Sequence, residues 1–179
     1  MPRLFTGLEI PSQTGLMLSM LRGGLKGARW IDPENYHLTL RFIGDIDDRT
    51  ADEIADALDR VRRKPVPIRI NGLGSFGNGK QPHAVWARVE PTPELAELQA
   101  EQERIIQRLN LPAERRKYTP HVTIARCRTS TNAEVAKWLA ERGNFQAPPF
   151  VAGRFVLFSA KASVGGGPYL VEEAYPLAA

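Results

Sequence analysis

Cysteine is nearly absent: Cys127 is the only one in 179 residues. A lone thiol forms no internal disulfide and has no partner for a cysteine-based metal site. The disulfide-stapled secreted classes are excluded, and a reducing compartment fits. Long hydrophobic runs are also missing, and no stretch approaches membrane-spanning length. Met1 to Ile10 lack both the basic n-region and the apolar h-region of a secretory signal, so the expected location is the cytoplasm. The glycine-rich stretch Gly74 to Gly79 lacks the Gly-Lys-Ser/Thr ending of a nucleotide phosphate loop. No linker of disordered composition divides the chain. Its length suits one domain or two small lobes sharing a core, and 42% hydrophobic with 25% charged residues is ordinary for a soluble globular protein.

Only three histidines occur, and two of them stand in the same pattern. His37-Leu38-Thr39-Leu40 returns as His121-Val122-Thr123-Ile124. In a strand, residues two apart share a face, so each copy offers an imidazole and a hydroxyl on one surface and apolar side chains on the other. One such match is weak, because threonine is common on the wet face of strands. Two matches that use two of three histidines are not readily a coincidence. Brought face to face, they would make a pocket suited to moving protons around an oxyanion.

The rest of the chain alternates strands and helices without regular parallel crossovers. Leu4 to Ile10 reads as a strand broken by Pro11, and Ser12 to Leu21 as a helix with Leu16, Met17, Met20 and Leu21 at helical spacing. Trp30 to Asn35 is a connector. The first motif strand spans Tyr36 to Ile43 and ends at Gly44. Asp47 or Asp48 caps a helix that runs to about Lys64, and capping accounts for the acidic residues there without a metal. Val66 to Leu73 and Ala84 to Glu90 read as a hairpin joined by the glycine-rich turn. A helix opens at Thr92 and Pro93 and ends near Asn110. Another runs from about Ala133 to Glu141. Phe150 to Ser159 and Tyr169 to Tyr175 close the chain as strands, joined by a loop containing Gly165-Gly166-Gly167-Pro168. Formal charge is +4 and the pI about 9.5, which favours anionic partners; Arg115-Arg116-Lys117 sits immediately before the second motif.

On these motifs, and on flanking matches such as Arg3-Leu4-Phe5, Pro33-Glu34-Asn35 and Tyr175-Pro176-Leu177, the chain resembles the 2H phosphoesterase superfamily. Within it the likeness is to the RNA 2',3'-cyclic phosphodiesterases, also called 2'-5' RNA ligases. The resemblance implies an α+β fold over residues 1–179, a single domain of two pseudo-symmetric lobes. Each lobe would be an antiparallel sheet backed by helices, with one motif from each facing a central cleft. It also implies an RNA substrate with a cyclic phosphate end, no metal and no cofactor. The protein is expected to be a monomer.

Opening a cyclic phosphate needs one proton taken from water and one given to the departing ribose oxygen, and two histidines can do both. By resemblance His121 is the proton acceptor and His37 the donor; sequence alone is symmetric on this point. Thr39 and Thr123 are candidate donors to the non-bridging oxygens. Arg41 shares strand parity with His37 and Thr39, which predicts a side chain in the cleft. Arg126 has the wrong parity for an ideal strand, yet matches a family arginine, and a bulge or a strand end would turn it toward phosphate. Phe42 holds the corresponding place after the first motif. Tyr169 or Trp30 is a candidate for stacking a base. Cys127 reads as a packing residue and His83 as a turn residue. The sequence departs from many relatives at Gln81-Pro82-His83, where they carry an arginine. Two other readings stay open: a nucleotide-binding module without turnover, and a phosphodiesterase for small cyclic nucleotides. A metallohydrolase would need carboxylates or further histidines around the pair.

Overall fold

The computed structural model describes residues 2–160 and 167–178. Pro11 stops the first strand, so β1 (Arg3–Glu9) passes directly into α1 (Ser12–Ser19). A short strand that the sequence pattern hides follows, β2 (Ala28–Trp30), and then a 3-10 turn at Pro33–Asn35. The first motif strand, β3 (His37–Asp45), runs past Gly44. That glycine sits at φ 98°, where a side chain is disfavoured, and the pairing continues to Arg3 and Asp45, whose side chains form an ion pair at 3.0 Å.

α2 (Asp48–Leu58) is capped by Asp47, which accepts from the Thr50 N–H at 2.8 Å. It ends a turn and a half before Lys64; beyond it Arg62 donates to the carbonyls of Asp59 (2.6 Å) and Val61 (2.9 Å), and Val61 is buried in the core. The expected strand from Val66 to Leu73 is two: β4 (Val66–Ile68) and β5 (Ile70–Gly77). β6 (Pro82–Val89), α3 (Pro93–Arg108), β7 (His121–Cys127) and α4 (Asn132–Arg142) follow. Thr92 caps α3 at 3.2 Å, and Thr131 with Glu134 forms a reciprocal box on α4. The last predicted strands resolve into β8 (Phe150–Ala152), β9 (Arg154–Ala160) and β10 (Tyr169–Pro176). Gly165 and Gly166 of the predicted loop lie outside the described residues.

β4 and β8 pair with each other in a small sheet. The other strands form one antiparallel path, β10-β9-β1-β3-β7-β6-β5, with β2 on β7. Halfway along it, β3 and β7 meet through one residue pair, Leu38 and Val122. The path is therefore two sheets leaning on a narrow joint. The first lobe takes β1 and β3 from the front of the chain and β9 and β10 from its end; the second is β7-β6-β5. α2 and α3 pack together, with α3 on β3, while α4 covers β5 and β6. The main apolar cluster draws Leu38, Leu40 and Phe155 from one lobe and Val85, Val122 and Ile124 from the other.

Candidate active site

The joint decides where the motifs go. Leu38 and Val122 face each other in antiparallel register and are fully buried. One step either side along antiparallel strands sets His37 across from Thr123 and Thr39 across from His121, all four half-buried on the opposite face. Each histidine is held the same way. His37 Nδ1 lies 3.0 Å from the Asn35 carbonyl, and His121 Nδ1 lies 2.6 Å from the Thr119 carbonyl. A carbonyl oxygen only accepts, so both Nδ1 atoms carry hydrogen. In the neutral rings Nε2 is then the basic nitrogen.

Aromatic rings wall each imidazole. Phe5 (4.8 Å), Tyr169 (4.9 Å, edge-on) and Phe158 (5.8 Å) surround His37. Phe76 (4.8 Å, edge-on) and Trp86 (5.4 Å) flank His121. Gly74 permits the second wall, because a Cβ there would come within 2.4 Å of the Trp86 ring. This burial disfavours the charged imidazolium. It lowers the His37 pKa to about 4, helped by positive charge at His121 and Arg126 and opposed by the Asn35 bond. His121 shifts the same way, through burial first and Arg126 after it, against the Thr119 bond.

Past the threonines both strands carry a bulge. Gly7 pairs with Thr39 and Thr6 with Arg41, leaving Leu40 unmatched, and both Leu40 and Arg41 are buried. On β7, Trp86 pairs with Thr123 and Val85 with Ala125, so Ile124 is the extra residue, and both Ile124 and Ala125 are buried. Each bulge reverses the alternation. Phe42, 49% exposed, and Arg126 therefore take equivalent places on the histidine face.

The expected place of Arg41 in the cleft is corrected by the same bulge. Its side chain turns to the opposite face, where Arg41 is 6% exposed and pairs with Glu103 of α3. It also donates to the Pro112 carbonyl at 2.6 Å. Burial would raise the Glu103 pKa. Bonds from Arg41, Gln107 (2.8 Å) and the Glu114 N–H (2.9 Å) outweigh burial and lower it.

Two clefts flank Asn35. One, of about 420 Å³, opens on His37, Tyr169, Phe158 and Tyr36. The other, of about 410 Å³, is lined by Arg126, Arg29, Trp30, Asp32 and Glu34. Trp30 reaches only the second, and its ring packs on Trp138 at 5.8 Å. Arg115, Arg116 and Lys117 are exposed but line neither cleft, and Arg116 is turned onto Glu114 at 3.2 Å. His83 is exposed at the start of β6. Cys127 is half-buried and packs against the core, with its thiol pKa raised by burial against a bond from Ser130. Sequence reasoning missed the ring walls Phe5, Phe76, Trp86 and Phe158, together with Arg29 and Tyr118. Tyr118 donates its hydroxyl to the Thr39 carbonyl at 2.8 Å. Among the described residues, no group of three or more His, Cys, Asp or Glu is placed to hold a metal ion, and no helix is long and apolar enough to cross a membrane.

The family model described as LigT-like phosphoesterase matches residues 8–86 and 88–169. The chain belongs to this family. Members similar to it include an RNA 2',3'-cyclic phosphodiesterase of Thermotoga maritima, 31% identical over 167 residues that cover 91% of this chain and 87% of the relative. A second, from Aquifex aeolicus, is 30% identical over 157 residues, covering 83% and 81%. Among solved structures, TT0787 of Thermus thermophilus superposes with a TM-score of 0.82 at 21% identity, covering 98% of this chain and 97% of that one. Escherichia coli LigT complexed with 3'-AMP gives 0.78 at 18% identity, covering 99% of each chain. These likenesses establish the two-lobed α+β fold as the LigT-like one.

Proposed function

We propose that the protein hydrolyses RNA 2',3'-cyclic phosphate ends to 2'-phosphomonoesters, without a metal ion, where the motifs of His37 and His121 meet. The observation that carries this is the matched tethering of the two rings: each Nδ1–H is engaged by a backbone carbonyl, leaving the two Nε2 atoms for proton transfer. The names of its relatives support the substrate class.

His121 takes a proton from water as the water oxygen bonds to phosphorus, and His37 gives a proton to the 3' oxygen as the P–O3' bond breaks. The product keeps phosphate on the 2' oxygen. Thr39, Thr123 and Arg126 stabilise the charge on the non-bridging oxygens. With a 5'-hydroxyl in place of water, the same step forms a 2'-5' linkage, and its reversal cleaves one. Burial disfavours charge on both rings in the free site, so the acid is charged as the anionic substrate arrives and offsets Arg126. A histidine of low pKa is the stronger acid once protonated, which suits departure of a ribose alkoxide. Phe42 and Tyr169 offer rings to the nucleoside.

The test incubates RNA ending in a cyclic phosphate, and 2',3'-cyclic AMP, with the protein in a strong chelator and identifies the product. A 2'-phosphate is expected, with His121→Ala slower by about 10²- to 10⁴-fold. A 3'-phosphate product, or activity abolished by the chelator, would overturn the reading. Binding without turnover would make the protein a nucleotide-binding module.

A further inference from the structure

Arg29 and Arg126 are direct cross-strand partners, on β2 and β7. Trp30, the next residue of β2, pairs with Ala125 and turns inward to Trp138, so Arg29 points the other way, to the face that carries Arg126, Thr123 and His121. Side chains directly opposite on antiparallel strands stand about 5 Å apart at Cβ, and like charges there repel. Among the described residues, neither arginine has an ion pair, although Asp32 and Glu34 line the same cleft of about 410 Å³. Asp32 instead faces Arg22, at 3.9 Å. Two adjacent unpaired guanidinium groups on one wall of a cleft suit one arrangement well: an anion bridging them, or successive anions of one strand.

Arg126 shares β7 and its histidine face with Thr123 and His121, and in the reading above it serves the phosphate at the reacting centre. Arg29 lies one strand further out. We infer that Arg29 and the cleft it lines form a second phosphate site, which takes the phosphodiester preceding the cyclic end, so that the enzyme prefers an oligonucleotide to a mononucleotide. The inference rests on the reading of the central site given above. Among the described residues the first lobe offers no such pair: its counterpart of Arg126 is Phe42, and Phe5, Phe158 and Tyr169 pack together there. The polarity of the substrate follows. The terminal nucleoside lies toward the aromatic lobe, and the preceding nucleotide crosses the second lobe. Glu34 and Asp32, on the rim of the cleft, are acceptors for ribose hydroxyls or an exocyclic amine.

The test compares kcat/KM for adenosine 2',3'-cyclic phosphate and for the dinucleotide ApA ending in the same group, in wild type, Arg29→Gln and Arg29→Lys, over a range of salt. Wild type is expected to favour the dinucleotide about tenfold at low salt. The added phosphate contact makes the dinucleotide's log–log salt slope steeper by about 0.7. Arg29→Gln should bring both the ratio and the extra slope close to those of the mononucleotide, and Arg29→Lys should restore most of each. A structural role for Arg29 would slow both substrates in proportion and leave the ratio standing, which overturns the inference, as does a wild type without the preference. Equilibrium binding of ApA 2'-phosphate and of 2'-AMP supplies an arm independent of turnover. If neither cyclic substrate is hydrolysed, the central reading fails, while an Arg29-dependent, salt-sensitive preference for ApA 2'-phosphate would still support the second site.

Discussion

Tyr118, three residues before His121, donates its hydroxyl to the main-chain carbonyl of Thr39 at 2.8 Å, tying the approach to the second motif onto the middle of the first. Burial raises the phenol's pKa, so it remains a donor throughout the working range. Tyr118→Phe keeps the ring and leaves that carbonyl without its partner. Denaturant unfolding should show a loss of about 1 kcal/mol, and kcat should fall about fivefold with KM little changed. If stability drops and kcat does not, the bond serves the fold alone.

The histidine pair predicts an acidic optimum. For kcat/KM, which reports the free enzyme, both limbs should lie below the ordinary histidine value near 6.5, because burial lowers both rings and takes His37 to about 4. The two apparent values belong to the pair rather than to either ring. The kcat profile should extend to higher pH, since bound substrate favours the charged ring. A kcat/KM that rises to a plateau at high pH would remove paired acid and base work.

Stability carries the same sign. Between pH 6.5 and about 4 the unfolded chain binds a proton that native His37 does not, so stability falls as pH drops through that window and the effect levels off below it. His121 adds to it in the same direction. Inorganic phosphate between the rings should lessen the loss. Thermal melts across the window, with and without phosphate, measure both effects, and His37→Gln should flatten the dependence.

Arg126→Gln should lower kcat/KM by about 10²- to 10³-fold, as expected for a donor to the charged oxygens. It should also raise both histidine pKa values in the free protein, because Arg126 is one cause of their depression. NMR titration of the imidazoles checks the second effect. Lost activity with unmoved titrations would separate Arg126 from the histidines.

The roles of the two histidines are separated by leaving-group basicity. A diester with an activated phenolate departs without a proton, so His37→Ala should lose much of its defect on that substrate when it binds in the same orientation. His121→Ala should stay impaired on both substrates. The opposite pattern reverses the roles, and equal defects mean that both rings act by position and charge.

The sequence by itself determined the elements whose causes are local. His37 with Thr39, and His121 with Thr123, share a face because strand alternation needs no partner, and helices begin at Asp47 and Thr92 because a cap bonds within its own first turn. Tertiary structure decided the rest. Arg41 leaves the histidine face and Arg126 takes it, both against ideal strand parity, because a bulge is a mismatch between two strands, set by β1 against β3 and by β6 against β7. Glu103 is 62 positions from Arg41, and β9 and β10 return from the chain's end to complete the first lobe. The two imidazoles are hard to charge because rings from β1, β5, β6, β9 and β10 exclude water around them, and burial by distant segments has no local signature.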